Sequence, residues 1–269
     1  MKFRYARSAG LGLAVAASVA ATVVGAPGSP VAPVASAGAG SPAYSLSYQT
    51  YPDGQKVVAR WNPCQPAVTY KVNPKYAAKT RKGKARAVRD VKGAIARLSS
   101  ETGISFRYTG RTSRIPKDAG DGWADRMPNA ELDIAWVKQS KRKGRTNLLG
   151  RAGRGYAAGT GGYSYKFWRV GSQPWQGVSG RGFVVLDAAQ NRKFKPGFGS
   201  GATRGDLLLH ELGHVVGLNH VGSNDEVMYP TIIRRGHAGY NAGDRAGLAR
   251  LGRAQGCIEV PDWIWKDLS

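Results

Sequence analysis

Apolar and polar positions alternate along this chain with two different periods, and each period predicts a different kind of element. Residues 67–72 alternate at every second position, which is typical of a half-buried strand. In residues 84–100 the apolar positions recur every three or four residues, so this segment is predicted to be a helix that packs one face against the core. Its apolar positions are Val88, Val91, Ile95 and Leu98. Three short apolar runs predict further strands at residues 104–108, 132–137 and 182–187.

The middle of the chain, residues 144–182, is rich in glycine and aromatic residues and follows neither period. We therefore predict mainly irregular loops here, with one edge strand near residues 148–152 inside them. A second apolar helix is predicted at residues 203–217, where Thr203 and Asp206 form a capping pattern and Gly217 can end the helix. The order of these elements predicts an α+β fold in which helices back a mixed sheet.

The helix at residues 203–217 also carries side chains that can do chemistry. His210 and His214 are just over one helical turn apart, so both imidazoles lie on one face and can reach the same metal ion. Glu211 lies about 100° around the helix, which places its carboxylate beside the metal. Because Gly217 allows a sharp turn, His220 can return to the same ion as a third ligand.

Three neutral nitrogen ligands indicate a catalytic zinc site, because they leave one position open for water. A zinc ion lowers the pKa of such a water to roughly 7, and Glu211 can accept its proton as a general base. The pattern H-E-L-G-H-V-V-G-L-N-H is complete and contains three of the four histidines of the chain. We therefore predict one catalytic Zn²⁺ held by His210, His214 and His220.

This pattern resembles the metzincin zinc peptidases and, within them, the matrixins and their bacterial relatives. Met228 stands eight residues after His220 in a segment similar to the matrixin Met-turn, which implies that its side chain lies beneath the metal. The astacin and serralysin branches have a tyrosine ligand where this chain has Pro230, so Tyr229 is not expected to bind the metal. The snapalysin branch has an aspartate as third ligand, and His220 argues against it. The resemblance covers roughly residues 60–257 and is strong only at residues 203–230.

The resemblance also implies an architecture and a substrate site. We expect a metzincin-like fold, with a twisted mixed sheet backed by helices, the zinc helix at a cleft, and a small C-terminal subdomain after the third histidine. Residues 183–187 would form the strand that follows the matrixin edge strand, and residues 241–251, with Asp244 in the first turn, resemble the last helix of the family. The residues expected to contact an extended substrate are Leu149, Gly150, Arg151, Ala152 and Tyr229.

Some features of the family have no counterpart in this sequence. The chain has no cysteine-switch propeptide and no second histidine set for a structural zinc. Calcium binding is possible, but the sparse aspartates assign no calcium site. The fourth histidine, His237, is either a surface residue or part of the cleft wall beyond the Met-turn.

The first 37 residues have the three parts of a secretory signal peptide. Three basic residues precede an apolar run at residues 11–25, and residues 35–37 offer a small-residue cleavage site. An uncleaved membrane anchor is the alternative, but the run is short and Pro27 interrupts its continuation. We expect a secreted protein with a flexible tail at residues 38–56 and a catalytic domain at residues 57–269.

Cys64 and Cys257 are the two cysteines of the chain. In an exported protein they are expected to form a disulfide, which would close a very long loop. The alternative is a free Cys64 that blocks the zinc as a latency ligand.

The chain is strongly basic, with a formal charge of +23. Three of its 40 basic residues and none of its 17 acidic residues precede residue 38, so the remainder would carry +20. Such a charge favours anionic partners, including cell-wall polymers, although a solvated basic face is an equally good interpretation. Nucleic-acid motifs are absent and aromatic residues do not interleave with the basic runs, so no specific nucleic-acid partner is expected.

Together these patterns predict a secreted, monomeric zinc endopeptidase that acts on protein or peptide substrates. One alternative is a zinc-stabilised protein that binds the cell wall or another anionic surface without proteolysis. It would explain the charge but not Glu211. The other is a metal-dependent hydrolase of a non-peptide amide, such as a cell-wall crosslink.

Overall fold

The computed structural model describes residues 13–14, 43–118, 132–152, 155–233, 236 and 238–266, which form a mixed sheet with helices packed against it. The strands in chain order are β1 (Leu13–Ala14), β2 (Gln49–Thr50), β3 (Lys56–Val57), β4 (Val68–Asn73), β5 (Phe106–Arg111), β6 (Leu132–Val137), β7 (Arg151–Ala152), β8 (Gly155–Tyr156), β9 (Gly159–Trp168) and β10 (Gln176–Asp187). The helices are α1 (Arg81–Thr102), α2 (Ala188–Asn191), α3 (Arg204–Val216), α4 (Ala242–Leu251) and α5 (Asp262–Lys266), with 3₁₀ turns at Arg142–Gly144 and Arg253–Gln255.

The main sheet has six strands in the order β5-β4-β6-β10-β9-β1. The pairs β4–β5, β4–β6 and β6–β10 are parallel, whereas β9 is antiparallel to both β10 and β1. The pairs β2–β3 and β7–β8 form two separate two-stranded ladders. This mixed sheet with its helices confirms the predicted α+β, metzincin-like fold class.

The principal core lies between one face of the sheet and helices α1 and α3. Strand β6 is buried along its whole length, as is typical of a parallel strand covered on both faces. Leu132, Ile134 and Trp136 of β6 face the helices, and Val137 belongs to a smaller cluster with Phe183. The helix predicted at residues 84–100 is confirmed as α1, which Thr80 caps at its N-terminus and Gly103 ends in a left-handed conformation.

The prediction of mainly loops over residues 144–182 is wrong for β9 and for the first half of β10, which form a long antiparallel hairpin. Glycine normally weakens a strand, so these residues show no strand pattern in the sequence. A Cβ atom at Gly161 would overlap the backbone of α3 at Glu211. Gly161 is therefore required by the close approach of β9 to α3.

The edge strand predicted near residues 148–152 is found only at β7, which pairs with β8 and lies outside the main sheet. Both β9 and β10 of the main sheet contact α3, and β9 makes the more extensive contact. In the described part of the chain, β1 covers β9 only at Tyr163 and Ser164, so residues 159–162 have no strand neighbour on that side. β1 lies within the predicted signal peptide, whose other residues are outside the described part of the chain.

The predicted disulfide is confirmed, since Cys64 is bonded to Cys257 across a sequence separation of 193 residues. This bond excludes the alternative of a free Cys64 as a latency ligand. The bond ties the segment before β4 to the segment between α4 and α5. Among the described helices, none combines the length and the apolar character needed to cross a membrane.

Candidate metal centre

Helix α3 places the predicted site residues in the interior of the protein. Thr203 and Asp206 form the predicted capping box at its N-terminus, and Gly217, with a φ of 110°, ends it in a left-handed turn. His210 and His214 are both 2% exposed, and Glu211 is 1% exposed. Polar groups buried this deeply are costly unless they find partners, which points to a functional role.

The three predicted metal ligands converge on one point. The Nε2 atoms of His210, His214 and His220 form a triangle with three sides of 3.2 Å. A tetrahedral ion about 2.0–2.1 Å from each nitrogen requires separations of about 3.3 Å, so the triangle fits zinc without rearrangement. In the described part of the chain, these three histidines form the group whose ligand atoms lie close enough together to hold a metal ion.

Backbone carbonyls fix the orientation of two of the three rings. His210 Nδ1 lies 2.7 Å from the Val227 carbonyl, and His214 Nδ1 lies 2.9 Å from the Leu218 carbonyl. A carbonyl oxygen can only accept, so Nδ1 donates in both rings and the Nε2 lone pair points into the triangle. Lone pairs that converge in this way repel one another and are stabilised by a cation.

Burial favours the neutral form of His214 and His220. It lowers the pKa of His214 to about 3, with a smaller contribution from the charge of His220, and it also lowers the pKa of His220. Neutral imidazole is the form that binds metal. The electrostatics of the site therefore agree with its geometry.

The side chain of Glu211 extends from α3 towards β9 and lies beside the histidine triangle. Burial raises the pKa of its carboxyl group to about 8, and a hydrogen bond from the Gly161 amide opposes this rise. Its Oε2 atom is buried and has no hydrogen-bond partner in the described part of the chain. An orphaned buried carboxylate oxygen fits a site in which a metal ion and its ligands supply positive charge and donors.

Met228 lies under α3, where its Sδ contacts the backbone at Gly213 and leaves no room for a Cβ atom there. Two buried carboxylates fix the turn that carries it. Asp244 accepts hydrogen bonds from the amides of Val227, at 2.6 Å, and Met228, at 3.2 Å. In return, Glu226 accepts from the amides of Gly243, at 3.0 Å, and Asp244, at 2.9 Å.

The chain before β2 holds the exit of α3. Ser47 donates from its amide to the Gly217 carbonyl, Asn219 donates to the Ser45 carbonyl, both at 2.8 Å, and Leu46 forms a bridge with Leu218. Leu218 is the residue whose carbonyl orients His214. Residues 45–47 belong to the predicted flexible tail, and these contacts show them packed against the metal centre.

A cavity of about 350 Å³ opens beside His210 and Glu211. Residues of β9, of the segment after α2 and of the segment after Met228 line it. The lining includes Ala157, Ala158, Gly159, Lys193, Phe194, Pro230, Thr231 and Ile232. A concave, partly apolar pocket next to polar groups is the usual form of a binding site.

The residues predicted to contact substrate occupy different surroundings. Ala152 lines the cavity. Leu149 is buried in the small cluster around Phe183, and the Gly150 carbonyl accepts from the Ala157 amide at 3.0 Å. Arg151 lies over the ring of Tyr156, and Tyr229 donates from its amide to the Glu226 carbonyl. The role of these residues in substrate binding stays a prediction, and His237 lies outside the described residues.

Several residues of the site were not predicted. Gly159 and Gly161 contact Glu211 from β9, and Glu226 holds the start of α4. The spacing of Asn241 and Asp244 is a helix-capping signal, but this spacing does not show that Asp244 also fixes the Met228 turn. These contacts join segments that are far apart in sequence.

The mixed sheet, the histidine helix and the turn at Met228 are consistent with a metzincin-like fold that carries a three-histidine metal site. The sequence model of the matrixin family matches residues 165–251, which include α3, the Met228 turn and α4. Matrix metalloproteinase-21 of Cynops pyrrhogaster is 36% identical over 76 residues, which cover 27% of this chain and 12% of that relative. With the three-histidine cluster, these matches confirm the resemblance: they fit a matrixin-like metzincin and support a zinc metalloprotease in general.

Proposed function

We propose that this protein is a secreted zinc endopeptidase in which Glu211 acts as the general base. The observation that carries the proposal is the unpaired, buried Oε2 of Glu211 beside a triangle of three imidazole nitrogens. The matrixin match supports the class of reaction. The chain spans 12% of the relative that it matches, so the substrate of that relative is not transferred to it.

His210, His214 and His220 would hold the zinc ion. When bound, the ion supplies a Lewis acid that polarises the substrate carbonyl and acidifies water. Glu211 Oε2 accepts the proton of the attacking water, and the same carboxyl group then passes that proton to the leaving amine. The hydrogen bond from the Gly161 amide holds the carboxylate in position for both transfers.

We propose that the substrate lies along the part of β9 next to α3. Residues 159–162 have no strand neighbour on their outer side in the described part of the chain, so their backbone can pair with an extended peptide. One substrate side chain would enter the cavity lined by Gly159 and Glu211. Pairing through the backbone allows cleavage of many sequences, and the cavity selects among them.

The test compares two variants that separate metal binding from catalysis. Glu211→Ala should retain one zinc ion and lose nearly all casein hydrolysis, whereas His214→Ala should lose both. Zinc content and release of dye from labelled casein are measured on the same samples. Substantial hydrolysis by pure, zinc-loaded Glu211→Ala protein would overturn the assignment of the base.

Export is tested separately. We expect the protein in the culture medium to begin at Gly38, because cleavage after Ala37 follows the small-residue site. Mass spectrometry of the exported protein measures this directly. A membrane-bound product that keeps residues 1–37 would support the uncleaved anchor instead.

A further inference from the structure

A basic surface borders the cavity, and the proposed chemistry does not use it. The segment 188–205, which leads from β10 into α3, contains four basic residues and no acidic residue. Lys193 lines the cavity that Glu211 also lines. Its neighbour Arg192 is also exposed, so both cations face solvent close to the proposed substrate site.

Helix α1 extends this surface. Arg204 donates from Nε to the carbonyl of Asn191 at 3.0 Å, which places its guanidinium next to Arg192. Burial lowers the pKa of Arg204, Asp90 opposes this effect, and the charges of Arg86 and Arg192 lower the pKa further. Arg89 is exposed one turn along α1 from Arg86. Arg86 and Arg89 both interact with the carboxylate of Asp90. We call this surface the basic track, and it consists of Arg86, Arg89, Arg192, Lys193 and Arg204.

The basic track has a large excess of positive charge. In the described residues, the half-buried carboxyl of Asp90 interacts with Arg86, Arg89 and Arg204. In the described residues none of the five cations forms a direct ion pair with a carboxylate. Cations grouped in this way repel one another and attract an anionic partner.

We propose that the basic track binds an acidic segment of the protein substrate, so that peptides with Asp or Glu next to the cleaved bond are preferred. This inference rests on the proposed peptidase function. A polypeptide fits better than a polyanionic polymer because the track ends, at Lys193, in a cavity of about 350 Å³ beside Glu211. A cavity of this size accepts single side chains, and a peptide can place one there while its neighbours follow the track.

Binding can be measured without cleavage on the zinc-loaded Glu211→Ala protein. Two fluorescein-labelled peptides of one sequence are compared by anisotropy, one with three Glu residues beside the cleavage site and one with three Gln residues. We expect roughly tenfold tighter binding of the Glu peptide at low salt, because two or three exposed ion pairs each contribute modestly. The preference should decline at 0.5 M NaCl, where charges are screened.

A pair of charge-matched variants locates the preference. Arg192→Gln with Lys193→Gln should reduce the ratio of the two affinities to about one or two. Lys141→Gln with Lys143→Gln removes two exposed cations that do not line the cavity and should retain the original ratio. Equal loss in both double variants would mean that the net charge, and not the basic track, attracts the peptide, and the proposal would be wrong.

Two further outcomes separate this proposal from its alternatives. If the protein binds polyphosphate through Arg192 and Lys193 but binds both peptides equally, the track is a polymer-binding surface and the proposal is overturned. If the Glu peptide is preferred but the wild-type protein cleaves neither peptide, the peptidase function fails while the partner of the basic track is retained.

Discussion

Gly159 offers a direct test of how Glu211 is positioned, because it is the residue of β9 that faces the carboxylate. In Gly159→Ala the new Cβ would lie 2.5 Å from Oε1, 2.8 Å from Cδ and 2.9 Å from Cγ of Glu211. Ordinary contacts of this kind begin at 3.4 Å, so the carboxylate has to move by about 1 Å. Since Glu211 is buried on its other sides, the movement should be towards the cavity.

We expect Gly159→Ala to lower the rate of catalysis. A misplacement of about 1 Å in a reacting group lowers the rate by about 100-fold, equivalent to about 2.7 kcal/mol in the activation free energy. The fold should persist, because the new methyl group meets the end of a side chain. At Gly161 the new Cβ would instead overlap the Glu211 carbonyl, so Gly161→Ala has to separate β9 from α3 and should lower the free energy of unfolding by about 1–3 kcal/mol or more.

The assay measures three quantities for each variant: kcat/KM on a fluorogenic peptide, zinc per chain, and the denaturant midpoint. Gly159→Ala should retain zinc and stability and lose activity, whereas Gly161→Ala should lose stability as well. Gly222→Ala is the matched control, since Gly222 is exposed and a Cβ there meets no atom within 4 Å. Activity of Gly159→Ala within about threefold of the wild type would refute the claim that β9 positions the base.

Three further predictions concern the stability of the fold and of the metal centre. Burial raises the pKa of Asp133 from 3.8 to about 6, so the folded state favours its protonated form. As the pH rises from about 4 to about 6, the free energy of unfolding therefore decreases by up to about 3 kcal/mol. Asp133→Asn should be more stable than the wild type above pH 6 and similar near pH 4, and identical pH profiles in urea titrations would contradict this. Replacing Cys64 and Cys257 by Ser should lower the free energy of unfolding by roughly 3–5 kcal/mol because the closed loop is long, and an unchanged urea midpoint would contradict it. Leu46→Asp should weaken zinc binding by roughly tenfold in competition with a chelator, because Leu46 holds the turn that orients a ligand. Wild-type zinc affinity in that variant would show that this contact is dispensable.

The histidine helix could be predicted from sequence because its information is local. The spacing of His210, Glu211 and His214 along one helix fixes their relative directions, and Gly217 marks the turn that returns His220. The structure brings the three imidazoles together as the spacing predicts. Helix α1 was predictable for the same reason, since one regular stripe of apolar residues faces the core.

The hairpin of β9 and β10 could not be predicted because its pattern depends on a distant segment. Glycines at 159, 161 and 162 remove the alternation that normally marks a strand. At residues 159 and 161 the glycines are explained by Glu211, about fifty residues further along the chain. The role of Glu226 could not be predicted for the same reason, because its partners are backbone amides of the distant helix α4. The signal peptide, the domain boundaries and the anionic polymer partner stay predictions.

The metal centre is held together by segments that supply no metal ligand. The ring of His210 is oriented by the turn that Asp244 fixes, and the ring of His214 is oriented by Leu218, which residues 45–47 hold in place. A ligand ring that loses its carbonyl partner can rotate, and the triangle of 3.2 Å sides then opens. Zinc affinity should therefore depend on the docking of these remote segments as much as on the histidines themselves. Conversely, bound zinc should protect the amides of Ser47 and Val227 from hydrogen exchange, because binding to the closed triangle stabilises every contact that closes it.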